Sequence, residues 1–229
     1  VKWFKRVALP DILLALGGVF LISLGAAFNN RAGLGNDSIG ILYDGLRASM
    51  NWTTDQLGMA SNIVNASLTV VLFILARKYI SIGTLIYFLP YGLFTDINVA
   101  LYDMIPYHDA FWVRCILCIA GNLLLYVGVS MYVTVDIGVD PFTGTVLYLR
   151  DVTGKEYRIV KIVFDVCLVL IGFFLGGKLG VVTVVASVAA GPIIQFLTGR
   201  MQRIYFKDKI ATVQQESQVK GGKEDGYTS

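Results

Sequence analysis

Charge is scarce in this chain. Asp, Glu, Lys and Arg make up 15% of its 229 residues, whereas 55% are hydrophobic. A soluble globule of 25.1 kDa needs more polar surface than that, so a water-soluble class is excluded and lipid is expected to cover the remainder. Histidine is nearly absent. His108 stands alone in an expected outer loop, which excludes a His/Glu metal spacing and a Ser-His-Asp set. A Walker-type phosphate loop is missing too, and these absences together argue against an enzyme and against a bound cofactor or metal. The cysteines are only three, Cys115, Cys118 and Cys167, all inside apolar blocks. That placement excludes a disulfide framework or a cysteine-only zinc site. The Cys115-Ile116-Leu117-Cys118 spacing has the form of a redox motif but lacks the soluble fold such motifs need. The net charge of +3 is spread along loop ends and forms no stripe, so no nucleic-acid partner is expected.

What the chain does have is long apolar runs. A helix needs about 20 apolar residues to cross the hydrocarbon core, and six blocks approach that length: 7–28, 57–76, 80–99, 110–132, 159–175 and 180–197. The first has the basic flank of a signal peptide but runs too long and lacks a small-residue cleavage site, so it reads as a retained helix. Six crossings place both termini on one side. Lys2, Lys5, Arg6, Arg77, Lys78, Arg150, Lys155, Arg158, Lys161 and the basic residues from Arg200 onward fall on that side, leaving only Arg31, Arg47, Arg114 and Lys178 on the other. The positive-inside rule then makes the N- and C-termini cytoplasmic. The polar tail beyond Lys207, with Gly221-Gly222, is expected to lack regular structure.

Two helical segments, 37–50 and 141–150, are too short to cross. Each opens with a helix-start signal: Asp37-Ser38 in the first, and Asp140-Pro141 in the second, where proline at the first helical position sacrifices no hydrogen bond. Each follows glycines, Gly33 and Gly35 or Gly138. They read as re-entrant or interfacial half-helices. One constant offset matches Gly35 with Gly138, Asp37 with Asp140, Leu46 with Leu149 and Arg47 with Arg150. After a four-residue slip, Thr84 matches Thr183, Gly92 matches Gly191 and Asp96 falls opposite Gln195. The expected fold is therefore an all-α integral membrane protein of about six transmembrane helices in two inverted three-span repeats. The first repeat covers 1–104 and the second 105–200, with a tail at 201–229.

The runs Ala32-Gly33-Leu34-Gly35-Asn36-Asp37 through Gly45-Leu46-Arg47, and Asp136-Ile137-Gly138-Val139-Asp140-Pro141 through Leu149-Arg150, resemble the paired motifs of the YczE/YitT-like family of bacterial membrane proteins. Gly83-Thr84 and Gly191-Pro192 look like its remaining marks, so the likeness covers roughly 7–200. Without a soluble C-terminal domain, the chain is similar to the shorter YczE branch. Ser38 stands where that family's pattern has proline. The resemblance implies a bacterial cytoplasmic membrane and an assumed transport role, with no settled substrate.

The candidate solute-binding residues are Asp96, Gln195, Asp37, Asp140, Gly35 and Gly138. Half-helix starts that meet inside a membrane can bind solutes, and carboxylates there favour a cation, a zwitterion or a proton; plain capping is the alternative for Asp37 and Asp140. Asp96 and Gln195 each follow a proline, Pro90 or Pro192, that frees backbone carbonyls. Asp96 could instead reach water at the outer end of its helix. Asp165 and Lys161 are expected to pair, Asp11 to cap the first helix, and Arg114 to pair with Asp103 or Asp109. Asn62, Asn65 and Asn122 are expected to hydrogen-bond between helices. The preferred expectation is a small secondary transporter of an unidentified small solute, in contact with the lipid bilayer. The alternative is a membrane subunit that binds a partner membrane protein, and a homodimer fits either reading.

Overall fold

The computed structural model describes residues 8–106 and 110–224, with the side chains of 186–188 and 206–224 left aside. Eight α-helices follow one another among these residues, with no strand: α1 (Leu9–Ala32), α2 (Ser38–Ser49), α3 (Leu57–Leu75), α4 (Ile82–Asp103), α5 (Phe111–Val135), α6 (Pro141–Thr153), α7 (Tyr157–Phe174) and α8 (Val181–Glu224). Four are long and apolar enough to cross a membrane: α1, α3 with its preceding turn from Thr54, α4 and α5. The blocks at 159–175 and 180–197 also form helices, α7 and the first half of α8. They are not among those four. In α7 the reason is charge, since Arg158, Lys161 and Asp165 lie within 18 residues. The tail differs from expectation, because α8 continues as helix to Glu224. Extending an existing helix avoids the nucleation cost, and no proline interrupts the sequence after Pro192.

The boundaries have local causes. Asp11 accepts from the Ala8 N–H at 3.0 Å, closing the start of α1 as expected of it, and the Tyr205 hydroxyl of α8 donates to the same carboxylate. Ser81 caps α4, accepting from the Thr84 N–H. Gly33 ends α1 in the left-handed conformation.

Helix α1 lies against α5 and α4, α5 against α8, α2 against α7, and α3 against α4 and α6. The α1–α5 contact is backbone on backbone. A Cβ on Gly25 would fall 2.3 Å from the Gly121 carbonyl oxygen, and one on Gly128 would fall 2.6 Å from that of Gly18. Such close approach is how helices associate where no hydrophobic driving force separates them from lipid. The offset that matches Gly35 with Gly138 also carries Gly18 to Gly121 and Gly25 to Gly128. The two contacts thus exchange under it. Exposed side chains are largely apolar, including Val70, Ile74, Leu89, Trp112, Ile119 and Val163, a surface suited to lipid.

Gly25→Val is expected to destabilise the protein by about 1–3 kcal/mol through overpacking, read as a lower Tm in detergent. Gly191→Ala, whose Cβ meets nothing within 4 Å, should leave Tm unchanged. An unaltered Tm in Gly25→Val would show that α1 and α5 are not in backbone contact.

Candidate functional site

A helix start leaves backbone N–H groups without partners, and both short helices meet that demand with aspartate. Asp140 Oδ1 accepts from the N–H groups of Phe142 and Thr143 at 3.0 Å each, and Oδ2 from the Thr143 hydroxyl at 2.5 Å. Asp37 Oδ1 accepts from the Gly40 N–H at 3.2 Å. Each Asp carbonyl also accepts, from Ile41 at 3.0 Å and from Gly144 at 2.9 Å, and the second start is the more fully closed because Pro141 has no N–H and Asp140 Oδ1 takes two N–H groups to the one of Asp37. Ser38, in place of proline, sends its hydroxyl to Asp165 Oδ1 on α7 at 3.0 Å, and Lys161 Nζ reaches the same oxygen at 2.6 Å. The expected Lys161–Asp165 pair is therefore present, with α2 added to it.

The glycines before each start have φ of 115° at Gly35 and 146° at Gly138, values that side-chain-bearing residues avoid. Both also abut the start of a long helix. The Asn36 N–H donates to Thr183 Oγ1 of α8 at 3.2 Å, and Thr84 Oγ1 of α4 donates to the Val139 carbonyl at 2.7 Å. Thr84 and Thr183, matched in the sequence, hold the two loops in corresponding ways.

Between these starts lies a row of buried tyrosines from α2, α4 and α5. Asn65 Nδ2 donates to the Tyr43 hydroxyl at 2.8 Å. The Tyr43 ring meets Tyr91 at 5.8 Å between centroids, Tyr91 stacks on Tyr87 at 5.2 Å, and Tyr87 meets Tyr132 edge-on at 5.4 Å. Phe142, in the first turn of α6, closes on Tyr43 at 6.0 Å. Asp37 and Asp140 both act electrostatically on Tyr43, Tyr87 and Tyr91. The two carboxylates thus flank one region. Each end of the row carries a buried polar atom without a hydrogen-bond partner, Asn65 Oδ1 and the Tyr132 hydroxyl, which is costly unless something else supplies one.

Asp96 and Gln195 are not brought into this row. Asp96 Oδ1 accepts from the Gly58 N–H at 2.8 Å, capping the first turn of α3 from across the interface, while Gln195 is exposed on α8. Their opposition in sequence fails to become contact because α4 turns Asp96 toward α3, whereas α8 turns Gln195 outward. Arg114 does not pair with Asp103, the one of its two expected partners that is described. Its Nε donates to the Ala32 carbonyl at 2.6 Å at the end of α1, and Asp103 is taken by Arg31, whose Nε lies 2.7 Å from Oδ1. Asp109 and His108 lie outside the described residues. Asn62 accepts from the Gly92 N–H at 3.1 Å, two residues beyond Pro90, and Asn122 donates to Asn29 Oδ1 at 2.9 Å, so these asparagines do link helices.

Two further clusters join each short helix to the loop between α7 and α8 or α3 and α4. Asp44, in the interior of α2, holds Arg47 at 2.8 Å and accepts from the Lys178 N–H at 2.9 Å. Beside it a cavity of about 10 Å³ is lined by Asn29, Asn36, Asp44 and Lys178 among others, room for about one water. At α6, Asp151 accepts from Lys78 Nζ at 2.8 Å, from the Tyr79 hydroxyl, and from Arg150 at 2.6 Å. An open groove of about 440 Å³ between α1 and α4, lined by Leu16, Ile82, Leu85, Ile86, Leu89 and Pro90, is apolar and lies on the outer surface.

The tyrosine row escaped the sequence reading, as did Asp44. A signal existed for part of it: Tyr87 and Tyr91 lie well inside the apolar block 80–99, away from the interfacial ends where tyrosine is usual.

These features define a helical protein with spanning-length helices and a buried polar and aromatic centre. The chain belongs to the Family of unknown function (DUF6198), whose profile matches residues 9–199. It is similar to an uncharacterized protein of Haemophilus influenzae, with 24% identity over 193 residues that cover 84% of this chain and 85% of that one. No solved structure matches it.

Hydrogen bonds from Lys78, Tyr79 and Arg150 hold the Asp151 carboxyl well below its ordinary 3.8, and Asp151 raises Lys78 above 10.5. Asp151's contribution is fully present above 3.8 and lost as pH falls through its lower folded value. That of Lys78 is present below 10.5 and lost as pH rises through its higher one. Amide exchange of 77–80 and 150–154, corrected for intrinsic rate, is therefore expected to be flat between about pH 5 and pH 9 and to quicken in high salt. A step inside that window would assign the contact to another titrating group.

Proposed function

We propose that this protein is a small secondary transporter of the cytoplasmic membrane, moving a small cation or zwitterion through the tyrosine row between Asp37 and Asp140. In this reading α7 and the first half of α8 complete six crossings. The halves α1–α4 and α5–α8 are inverted repeats, and α2 and α6 are their re-entrant half-helices. The pairing of contacts supports it: α1–α4 corresponds to α5–α8, and α2–α7 to α6–α3. The likeness to the YczE/YitT-like family and the cytoplasmic placing of both termini belong to the same reading. The observation that carries it is the pair of orphan polar atoms, Asn65 Oδ1 and the Tyr132 hydroxyl, sealed at the ends of an aromatic row that two capped helix starts flank. Binding sites of inverted-repeat transporters are built between broken helices in this way. Rocking of one half against the other exposes the row to each side in turn.

A second reading, a membrane subunit that binds a partner, rests on α8. Its residues Gly191, Gln195 and Gly199 fall four apart on an exposed stripe, and an added Cβ at either glycine meets nothing. Small residues around one amide suit a helix supplied from outside.

A thermal-stability screen of the detergent-purified protein against metabolites and cations tests the first reading, because a ligand at 100 times its Kd stabilises by about 2.7 kcal/mol. A saturable shift is expected, followed by saturable flux in vesicles. Tyr43→Phe should abolish that flux while staying folded. Asp96→Ala should lose about 1 kcal/mol of stability, as a lost cap does, and transport at the wild-type rate. No shift, no flux, and co-elution with a partner of fixed stoichiometry would replace the transporter with the subunit.

A further inference from the structure

We infer that the solute recognised at the tyrosine row is a protonated amine that keeps at least one N–H. This rests on the transporter reading and narrows it from cations in general. The sign of charge comes first. Asp37 and Asp140 bear on Tyr43, Tyr87 and Tyr91, and on Tyr91, in the middle of the row, no basic side chain acts beside them. Lys161 acts on Asp37, but its ammonium is held by Asp165 at 2.6 Å. A low-dielectric region with two carboxylates and no counter-cation of its own attracts positive charge and repels negative charge.

The kind of cation follows from the groups at hand. The row offers ring faces, which attract organic cations, but few oxygens. A hard metal ion takes about six or more oxygen ligands, and the oxygens of Asp140 are already occupied by Phe142 and Thr143. The deficit at both ends of the row is then read as chemistry. Asn65 Nδ2 donates to the Tyr43 hydroxyl at 2.8 Å and to the Ser61 carbonyl at 2.9 Å. Those two bonds fix the amide's orientation, so the orphan atom is its oxygen, a pure acceptor. The Tyr132 hydroxyl, also orphaned, can accept as well. A quaternary ammonium satisfies neither atom. An ammonium with N–H groups can meet a ring face and the acceptor at one end of the row together, in the field of the carboxylates.

The test compares three probes on the purified full chain at matched ionic strength, with thermal stability as the readout: methylammonium chloride, tetramethylammonium chloride and sodium acetate. Methylammonium is expected to give a saturable shift, tetramethylammonium one at least about tenfold weaker in concentration because its donors are gone, and acetate none. Tyr132→Phe removes an unsatisfied hydroxyl at constant ring shape. Its Tm without probe should equal or exceed wild type, while its half-saturating methylammonium concentration rises about tenfold. A merely structural hydroxyl would leave that concentration where it was, which would overturn the assignment of the orphan atom. Equal responses to the two ammonium ions would sink the donor argument, and a larger response to acetate would sink the sign of charge. If neither cation shifts the protein but a neutral or anionic metabolite does and is transported, the amine inference falls and the transporter stands. If no solute of any class shifts it, both fall.

Discussion

A helix that begins inside a dry interior must find partners for its first N–H groups, because water is not there to supply them. Everything at the centre of this protein is arranged around that demand. Asp140 meets it with its carboxylate and carbonyl, assisted by a proline that has no N–H to satisfy. Asp37 meets it less fully, with Ser38 turned aside to Asp165. Because the capping groups are carboxylates, satisfying the backbone brings two negative charges to the flanks of a buried aromatic row. In the transporter reading, structure and binding then arise from the same atoms. Plain capping and solute recognition, which look like rival roles for an aspartate in a sequence, are compatible here, since the carboxylate's field extends beyond the N–H groups it holds.

The glycines act on a different link of the chain. Between α1 and α5 they bring two backbones into contact, and at Gly35 and Gly138 they let the loops tuck beneath the starts of α8 and α4. The short helices could not otherwise begin beside the central tyrosines. Each short helix is further tied to a loop between two long helices, α2 through Asp44 to Lys178 and α6 through Asp151 to Lys78 and Tyr79. One tie is buried and the other exposed. The buried tie is a backbone N–H given to a carboxylate that Arg47 already pairs, and breaking it leaves a buried charge short of a partner, whereas an exposed ion pair contributes little and yields easily. The two ends of the molecule are thus unequally fastened, despite their similar plan.

Polar side chains within the apolar helices divide into two kinds. Asp96, Asn62 and Asn122 spend their hydrogen bonds on neighbouring helices or helix starts, and are accounted for by packing. Asn65, Asn98 and Tyr132 keep a polar atom with nothing to bond, and of these Asn65 and Tyr132 border the tyrosine row. Position in the sequence does not separate these kinds, and Asp96 illustrates the difficulty. A carboxylate well along an apolar helix is costly in isolation, which makes it look functional. Here it is only half-buried and takes an N–H on α3, from a partner 38 residues away that no local pattern reveals.

The amino-acid sequence alone determined the helical class, the positions of the six apolar blocks and the two short helices with their aspartate caps. These depend on local physics: apolar run length, capping chemistry, and the left-handed tolerance of glycine act within a few residues of where they are written. It also carried the match of Gly35 with Gly138 and of Thr84 with Thr183, because those residues are punctuation and not interchangeable apolar filler. Only the tertiary structure decided which polar groups meet. It turned Gln195 outward, gave Asp103 to Arg31, set Asp96 on the start of α3, and gathered Tyr43, Tyr87, Tyr91 and Tyr132 into one row. The reason is geometric. A side chain's partner depends on how each helix is rotated about its axis and which neighbour it faces, and those quantities are set by close packing across the whole bundle.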